Sequence, residues 1–240
     1  PEDADLQRAW EAYAPFRALY SYGTRAADRA IATDACTKDD LPRYLGVELE
    51  VNAPVEAYAE IAIHADRRLS GLAHLMRDGS IPIHEGFEIV THPMSYDWAM
   101  QHFPWELLDE LKQLGVTGDD LGLHVHVSRA GFDSPEHIAR WMTFIHRNAG
   151  YVTALARRSS VKYAGFTDSD RRAIPAYAQG SRDGKKMRAI NVRHEGTFEL
   201  RMFASTLERD EVQAALGFAA ASIEYTRTLS VPHGIAEGED

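Results

Sequence analysis

Residues 121–128 read Leu-Gly-Leu-His-Val-His-Val-Ser, which places two histidines two residues apart in an otherwise apolar run. Side chains alternate between the two faces of a β-strand, so His124, His126 and Ser128 share one face, opposite leucine and valine. A single histidine in a core strand needs no special explanation. Two histidines on the same face predict a functional site on this strand.

Three further segments alternate in the same way. Their polar positions each share one strand face: Glu48, Glu50 and Asn52 in residues 46–52, Glu88 in residues 86–91, and Thr197, Glu199 and Arg201 in residues 196–202. If the four strands are neighbours, one face of a sheet gathers carboxylates, imidazoles and a guanidinium. Each motif alone is commonplace, since Glu-x-Glu usually marks a solvated face and His-x-His is structural as often as it binds a ligand. Their conjunction favours a single site.

The residue types of this predicted site indicate its chemistry. Clustered carboxylates repel one another and take up protons unless cations neutralise them. Oxygen-rich ligation with an imidazole suits Mg²⁺ or Mn²⁺, whereas zinc sites more often contain cysteine or additional histidine. Carboxylates at positions i and i+2 are better placed to hold two ions, roughly 3.5 to 4 Å apart, than to chelate one. An arginine beside them indicates phosphate, which its planar fork grips with two hydrogen bonds.

Composition restricts the class of protein. The chain has 240 residues, of which 45% are hydrophobic, enough for the core of one large domain. We assign that domain to residues 43–230, between a helical extension at 1–42 and a tail at 231–240. A formal net charge of −10 argues against nucleic-acid and membrane partners. Cys36 is the only cysteine, and no apolar run is long enough for a membrane span, so a cytoplasmic location is expected.

The spacing of apolar residues predicts helices between and after the strands. The predicted helices span residues 5–20, about 55–69, 104–114, 135–152 and 212–223. Residues 72–93 are predicted to form a hairpin with its turn at Asp78 and Gly79. Strand pairs mixed with long helices, without regular alternation, predict an α+β fold in which helices pack on one face of a largely antiparallel sheet.

Residues 159–187 are predicted to be a long irregular connection. Glycine and proline interrupt any regular pattern there, at Gly165, Pro175, Gly180 and Gly184. A connection of this length in a compact domain is usually functional or mobile. The segment is therefore the candidate lid or substrate loop.

The order of the motifs resembles the amidoligase family, which belongs with the glutamine synthetase and glutamate–cysteine ligase group of carboxylate–amine ligases. The resemblance extends from residue 43 to about residue 230. The motifs that carry it are, in order, residues 46–50, residues 77–80 with 86–93, residues 122–128, and residues 188–191 with 197–201. It implies a glutamine synthetase-like catalytic domain, a curved antiparallel sheet with helices on one face and the active site on the other.

The resemblance also implies a set of metal ligands. Glu48, His124 and Glu199 match positions that hold one metal ion, which engages the transferred phosphate. Glu50 and Glu88 match ligands of a second ion, which holds the substrate end. The cofactors implied are ATP and two or more Mg²⁺ or Mn²⁺ ions.

Four further residues are implied to contact phosphate. His126 and Arg201 match groups that touch the phosphates of the nucleotide, and they are the implied catalytic residues. Arg188 and Arg193 are candidate clamps for a phosphate or a carboxylate.

The implied reaction is the ATP-dependent joining of a carboxylate to an amine or ammonia, through an acyl phosphate, to give an amide or isopeptide bond. The carboxylate would belong to a small molecule or a peptide. Two alternatives remain open at the level of sequence. One is a phosphotransferase of the same fold, directed at an amine or guanidine, and the other is a non-catalytic structural or binding protein that retains the fold.

Overall fold

The computed structural model of the chain describes residues 44–77, 79, 81–82, 85–159 and 161–229. The expected helix at residues 5–20 lies outside the described residues. So do the extension at 1–42, which contains Cys36, and the tail at 231–240.

Six strands of the described residues form one antiparallel sheet. They are β1 (Leu45–Asn52), β2 (Ala73–Met76), β3 (Gly86–Thr91), β4 (Gly122–Ser128), β5 (Ile190–Asn191) and β6 (Thr197–Ala204). Their spatial order is β2-β3-β1-β4-β6-β5, and every neighbouring pair is antiparallel. The predicted antiparallel sheet is confirmed, and the four strands with polar faces are neighbours in the order β3-β1-β4-β6.

Helices precede and follow these strands along the chain. The α-helices of the described ranges are α1 (Tyr58–Arg68), α2 (Tyr96–His102), α3 (Glu106–Gln113), α4 (Pro135–Arg147), α5 (Ala149–Ala156), α6 (Val161–Ala164), α7 (Asp168–Ala178) and α8 (Arg209–Arg227). Short 3₁₀ turns occupy Val55–Ala57 and Arg129–Gly131.

The apolar face of the sheet packs against helices. Val47 and Leu49 of β1 and Ile89 of β3 line a small apolar cavity together with Leu107 of α3 and Val212 of α8. These residues alternate with the polar residues along each strand, so the polar side chains are directed to the opposite face. The amphipathic alternation of the sequence thus separates the core from the candidate site.

An aromatic cluster ties α4 to β6 on the same apolar face. Phe198 of β6 packs against Trp141 of α4 and against Phe132, with ring centroids 5.5 and 5.6 Å apart. The indole N–H of Trp141 donates a 2.9 Å hydrogen bond to the hydroxyl of Ser222 on α8, which satisfies its polar atom inside the core. Two long helices are therefore anchored directly behind the strand that carries Glu199.

The helix predicted over residues 135–152 begins as expected but is divided. The hydroxyl of Ser134 accepts the backbone N–H of His137 at 3.2 Å, which caps the first turn. Asn148 separates α4 from α5, and its side-chain amide donates to the carbonyl of Phe144 at 2.8 Å. The backbone N–H of Asn148 donates to the same carbonyl at 3.2 Å, so Asn148 caps the end of α4 with both groups.

The prediction of an irregular connection over residues 159–187 is wrong. The helices α6 and α7 occupy much of the segment, and Thr167 caps α7 by accepting the N–H of Asp170 at 3.2 Å. Pro175 lies inside α7, and Gly180, at φ +96°, follows its end. Pro175 and Gly180 thus belong to a helix and its termination rather than to an irregular connection, so the inferred lid loses its structural basis.

The connection from the hairpin into α3 differs in detail from the prediction. The strands β2 and β3 pair as the hairpin requires, whereas Asp78 of its predicted turn lies outside the described residues. Pro104 precedes α3 by two positions rather than opening it, and the sequence did not predict α2. Gly115, at φ +82°, ends the α3 region as expected.

His137 makes the stability of the protein depend on pH. Its side chain is fully buried; Nδ1 accepts the N–H of Asp133 at 3.3 Å and Nε2 donates to the carbonyl of Ile223 at 2.9 Å, so the neutral ring is satisfied. Burial lowers the pKa of His137 below its ordinary value of 6.5. Below about pH 6.5 the unfolded chain therefore binds more protons than the folded chain does, and stability falls as the pH falls.

We expect the free energy of unfolding in urea to decrease from pH 7.5 to pH 5.5, with a contribution from His137 of at most about 1.4 kcal/mol per pH unit. His137→Gln should lower stability at pH 7.5 but flatten this pH dependence. The exposed His102 provides the control, as His102→Gln should leave the slope unchanged. An identical slope in wild type and His137→Gln would contradict the assignment.

Candidate metal centre

The register of the sheet places polar side chains directly opposite one another on adjacent strands. From β3 to β6, the opposed pairs are Glu88 with Glu50, Glu48 with His124, and His126 with Glu199. Like charges directly opposite each other destabilise a sheet, so the pairing of Glu50 with Glu88 is unfavourable for folding by itself. A pair of this kind is expected where a cation lies between the carboxylates.

A β-bulge lies beside Arg201 in the pairing of β4 with β6. The pairing of β4 with β6 shifts between Leu123 and Val125, so that β6 carries one extra residue there. Bulges of this type redirect side chains and are frequent beside active sites. Arg201 is buried, and its Nη1 donates to Oε1 of Glu199, while its Nε has no hydrogen-bond partner among the described residues. One donor of this guanidinium therefore remains available.

The carboxylates of the site are buried. The exposed fractions are 8% for Glu48, 5% for Glu50, 7% for Glu88 and 1% for Glu199. Glutamate is almost never this buried unless it is paired or binds a metal. The burial argues against the alternative that these strands simply present their glutamates to solvent.

Glu48 connects the two histidines of β4. Its Oε2 lies 3.0 Å from Nδ1 of His124, and its Oε1 lies 2.9 Å from Nε2 of His126. The second ring nitrogen of His126, Nδ1, lies 3.0 Å from the hydroxyl of Thr197. The rings of both histidines are therefore held in fixed orientations by strand neighbours.

Glu199 is surrounded by donors from three segments. Its Oε2 lies 2.8 Å from Nε2 of His194 and also accepts a hydrogen bond from the side-chain amide of Asn191. Its Oε1 contacts Arg201 and lies 3.5 Å from Nδ1 of His124. The two oxygens of this carboxylate thus face different neighbours.

Glu50 and His124 approach each other at the start of β4. Oε2 of Glu50 accepts the backbone N–H of Gly122 at 2.6 Å, and its Oε1 lies 3.8 Å from Nε2 of His124. His124 is only 2% exposed, and its Nε2 has no hydrogen-bond partner among the described residues. A buried imidazole nitrogen without a partner, directed toward a carboxylate, is the arrangement that a cation between them would complete.

The electrostatics of the site favour ionised carboxylates. Burial alone would raise the pKa of Glu48, but His126 and His124 outweigh it and hold this pKa well below the usual value. Burial is likewise outweighed at Glu199, whose pKa falls to about 2 beside His194, His126 and Arg201. Burial would lower the pKa of His126, whereas Glu48 and Glu199 raise it. Glu48 and Glu199 are therefore charged at neutral pH and able to bind a cation.

Three overlapping sets of side chains have ligand atoms within 4.8 Å of one another. The sets are Glu50 with Glu88 and His124, Glu48 with His124 and Glu199, and His126 with His194 and Glu199. The first two sets bring together the five residues that the resemblance implies to be metal ligands. The third set contains His194, which sequence reasoning did not single out.

His194 was missed because it lies outside the strand pattern. It belongs to the connection between β5 and β6, where the side-chain direction does not follow from period-two alternation. Its ring nonetheless packs edge-on against His126, with centroids 5.1 Å apart. The signal available in the sequence was a histidine five residues before Glu199, in the turn between β5 and β6. From this turn its side chain reaches the sheet face that carries Glu199.

The two candidate clamps, Arg188 and Arg193, have different surroundings. Arg188 pairs with Asp170 of α7 through a 3.0 Å contact between Nε and Oδ2, and Arg193 is exposed. Arg158, which the sequence reasoning did not name, is half-buried at the site and donates to the backbone carbonyl of Arg201 at 3.2 Å. Burial lowers the pKa of Arg158, and the nearby carboxylate of Glu50 partly offsets that effect.

No family model and no curated protein sequence matches this chain. Across the part of the chain that the structure describes, no helix combines the length and the apolar character needed to cross a bilayer.

Proposed function

We propose that this chain is an ATP- and Mg²⁺-dependent carboxylate–amine ligase with a glutamine synthetase-like catalytic domain. The observation that carries the proposal is the convergence of buried glutamates and histidines on one face of the sheet, beside an arginine with a free donor. The order of the sequence motifs supplies the reaction class. A cytoplasmic location accords with an enzyme that consumes ATP.

The charge of the site supports a requirement for cations. Four buried carboxylates face one buried guanidinium, that of Arg201, and the half-buried Arg158. Buried charge without compensation is strongly unfavourable, so the surplus negative charge calls for divalent cations. The oxygen-rich donor set around the unpartnered nitrogen of His124 fits Mg²⁺ or Mn²⁺.

The proposed chemistry proceeds in two displacements. An oxygen of the substrate carboxylate attacks the γ-phosphorus of ATP, ADP leaves, and an acyl phosphate forms. The amine then attacks the carbonyl carbon, the amine loses a proton, and inorganic phosphate leaves as the amide forms. Bound cations would screen the charge of the phosphates during the first displacement.

Arg201 is suited to hold the transferred group. Its Nη1 is fixed by Glu199, which restricts the rotation of the side chain, and its Nε is the donor without a partner. A pre-positioned donor directed at developing charge stabilises a transition state more than a mobile one, because it needs no reorganisation during the reaction. Arg158 adds a second positive charge beside the backbone of Arg201.

The products of the reaction, and the transfer of an oxygen from the substrate carboxylate to phosphate, test this proposal. Hydroxylamine can replace the unknown amine, so incubation with Mg²⁺, ATP and a panel of amino acids and short peptides should yield a hydroxamate, ADP and phosphate in equal amounts. With ¹⁸O in the substrate carboxylate, one labelled oxygen should appear in the released phosphate. Reactions with excess chelator provide the control and should yield none of these products.

The same assay separates the alternatives. A phosphotransferase would form ADP while the phosphate remained on the amine or guanidine acceptor, with no labelled phosphate released. A binding protein would turn over no ATP with any member of the panel. Either result would contradict the ligase proposal.

A further inference from the structure

In the middle of the site, Glu48 and Glu199 each place one carboxylate oxygen near His124 and the other oxygen near a different histidine. Oε2 of Glu48 faces His124, and its Oε1 faces His126. Oε1 of Glu199 is on the side of His124, and its Oε2 is on the side of His194. Carboxylates in this arrangement can bridge two adjacent cations, one per oxygen.

The side of the site that contains His126 and His194 is rich in nitrogen. Nε2 of His126 lies 2.9 Å from Oε1 of Glu48, and Nε2 of His194 lies 2.8 Å from Oε2 of Glu199. Two ligand atoms at right angles around one ion, each about 2.1 Å from it, lie roughly 3 Å apart. The spacing of these nitrogen and oxygen atoms is therefore that of neighbouring ligands of a metal.

Neighbouring side chains hold these ligands in place. The hydroxyl of Thr197 can accept the proton of Nδ1 of His126, which leaves the lone pair of Nε2 for a cation. The amide of Asn191 donates to Oε2 of Glu199, and the oxygen of that amide accepts the backbone N–H of Arg193. Outer contacts of this kind fix the orientation of metal ligands.

We infer that His126, His194 and Glu199, whose ligand atoms lie within 4.8 Å of one another, form a cation position that takes a first-row divalent transition metal in preference to Mg²⁺. Two imidazoles with a carboxylate suit Zn²⁺, Co²⁺, Fe²⁺ or Mn²⁺, whereas Mg²⁺ favours ligation by oxygen alone. The expectation of Mg²⁺ from sequence depended on the lack of an additional histidine, which His194 supplies. The inference goes beyond the ligase proposal and does not depend on it.

Co²⁺ titration of the metal-free, full-length chain tests this position without nucleotide or substrate. Visible absorption of bound Co²⁺ reports ligation by imidazole and carboxylate. His194→Gln should weaken Co²⁺ binding by at least about 10-fold. Substitution of a residue that merely contacts a metal ligand already lowers metal affinity by about 10- to 100-fold. Millimolar Mg²⁺ should not displace the Co²⁺ from the wild-type chain.

His64→Gln is the matched control. Nε2 of His64 lies 2.7 Å from Oε2 of Glu110, a contact like that of His194 with Glu199, but between α1 and α3. This variant should bind Co²⁺ as the wild type does. Unchanged Co²⁺ affinity in His194→Gln, or complete displacement of Co²⁺ by Mg²⁺, would overturn the inference. The contacts of His126 with Glu48 and of His194 with Glu199 would then be hydrogen-bonded ion pairs without a metal.

A measurement on the wild type keeps the test independent of variant folding. X-ray absorption at the zinc edge, with one equivalent of Zn²⁺ bound, should show two imidazole ligands in the first coordination shell. One imidazole or none would exclude the proposed position. Failure of the ligase assay would affect neither result, because no ATP is present in these experiments.

Discussion

Glu199→Gln is expected to weaken Mn²⁺ binding by at least about 100-fold, since loss of a direct ligand should exceed the roughly 10- to 100-fold effect of outer contacts. The carboxylate of Glu199 belongs to two of the three candidate ligand sets and contacts both His194 and Arg201. Glutamine keeps its size but replaces a charged oxygen with a neutral amide. Electron paramagnetic resonance of free Mn²⁺ measures the change directly.

The control for this substitution is Glu110→Gln. Glu110 also contacts one histidine and one arginine, His64 at 2.7 Å and Arg68 at 2.9 Å, but it is partly exposed and lies on α3. Its substitution should leave Mn²⁺ binding unchanged. If Glu199→Gln merely lowers the melting temperature and binds Mn²⁺ normally, then Glu199 is half of a structural ion pair.

A second variant separates metal binding from folding. Glu199→Gln removes the partner of a buried arginine, which typically destabilises a protein by about 3 to 5 kcal/mol. Glu50 accepts a hydrogen bond from the backbone N–H of Gly122, a bond that an amide oxygen can also accept. Glu50→Gln should therefore retain the fold while weakening Mn²⁺ binding, and normal binding in this variant would count against the centre.

The strand residues of the site could be predicted from sequence because side chains alternate strictly between the two faces of a strand. Once residues 46–52, 122–128 and 196–202 are strands with one apolar face, their polar residues must share the other face. The sequence did not determine which strands are neighbours. The structure shows that these three strands are neighbours in the order β1-β4-β6.

The remainder of the site could not be predicted because loop positions follow no period. His194 lies in the connection between β5 and β6, and Arg158 follows α5. Their side chains reach the site through the packing of the whole domain. The error over residues 159–187 has a different cause, because a proline ordinarily indicates the end of a helix, whereas α7 contains Pro175.

Calorimetric titration with ATP tests the central claim, that the buried carboxylates bind phosphate only through divalent cations. One pair of like charges about 4 Å apart costs about 4 kcal/mol at the effective dielectric constant of a protein surface. A tenfold change in affinity corresponds to about 1.4 kcal/mol. Removing the cations should therefore weaken ATP binding by at least about 100-fold.

In that experiment, ATP should bind the wild-type chain in the presence of Mg²⁺ or Mn²⁺ and should show no measurable binding in excess chelator. Sodium chloride at matched ionic strength separates specific cation binding from general screening, and it should not restore binding. Equal ATP affinity with Mg²⁺ and with excess chelator would contradict the account, as would the lack of any ATP binding when Mg²⁺ is present.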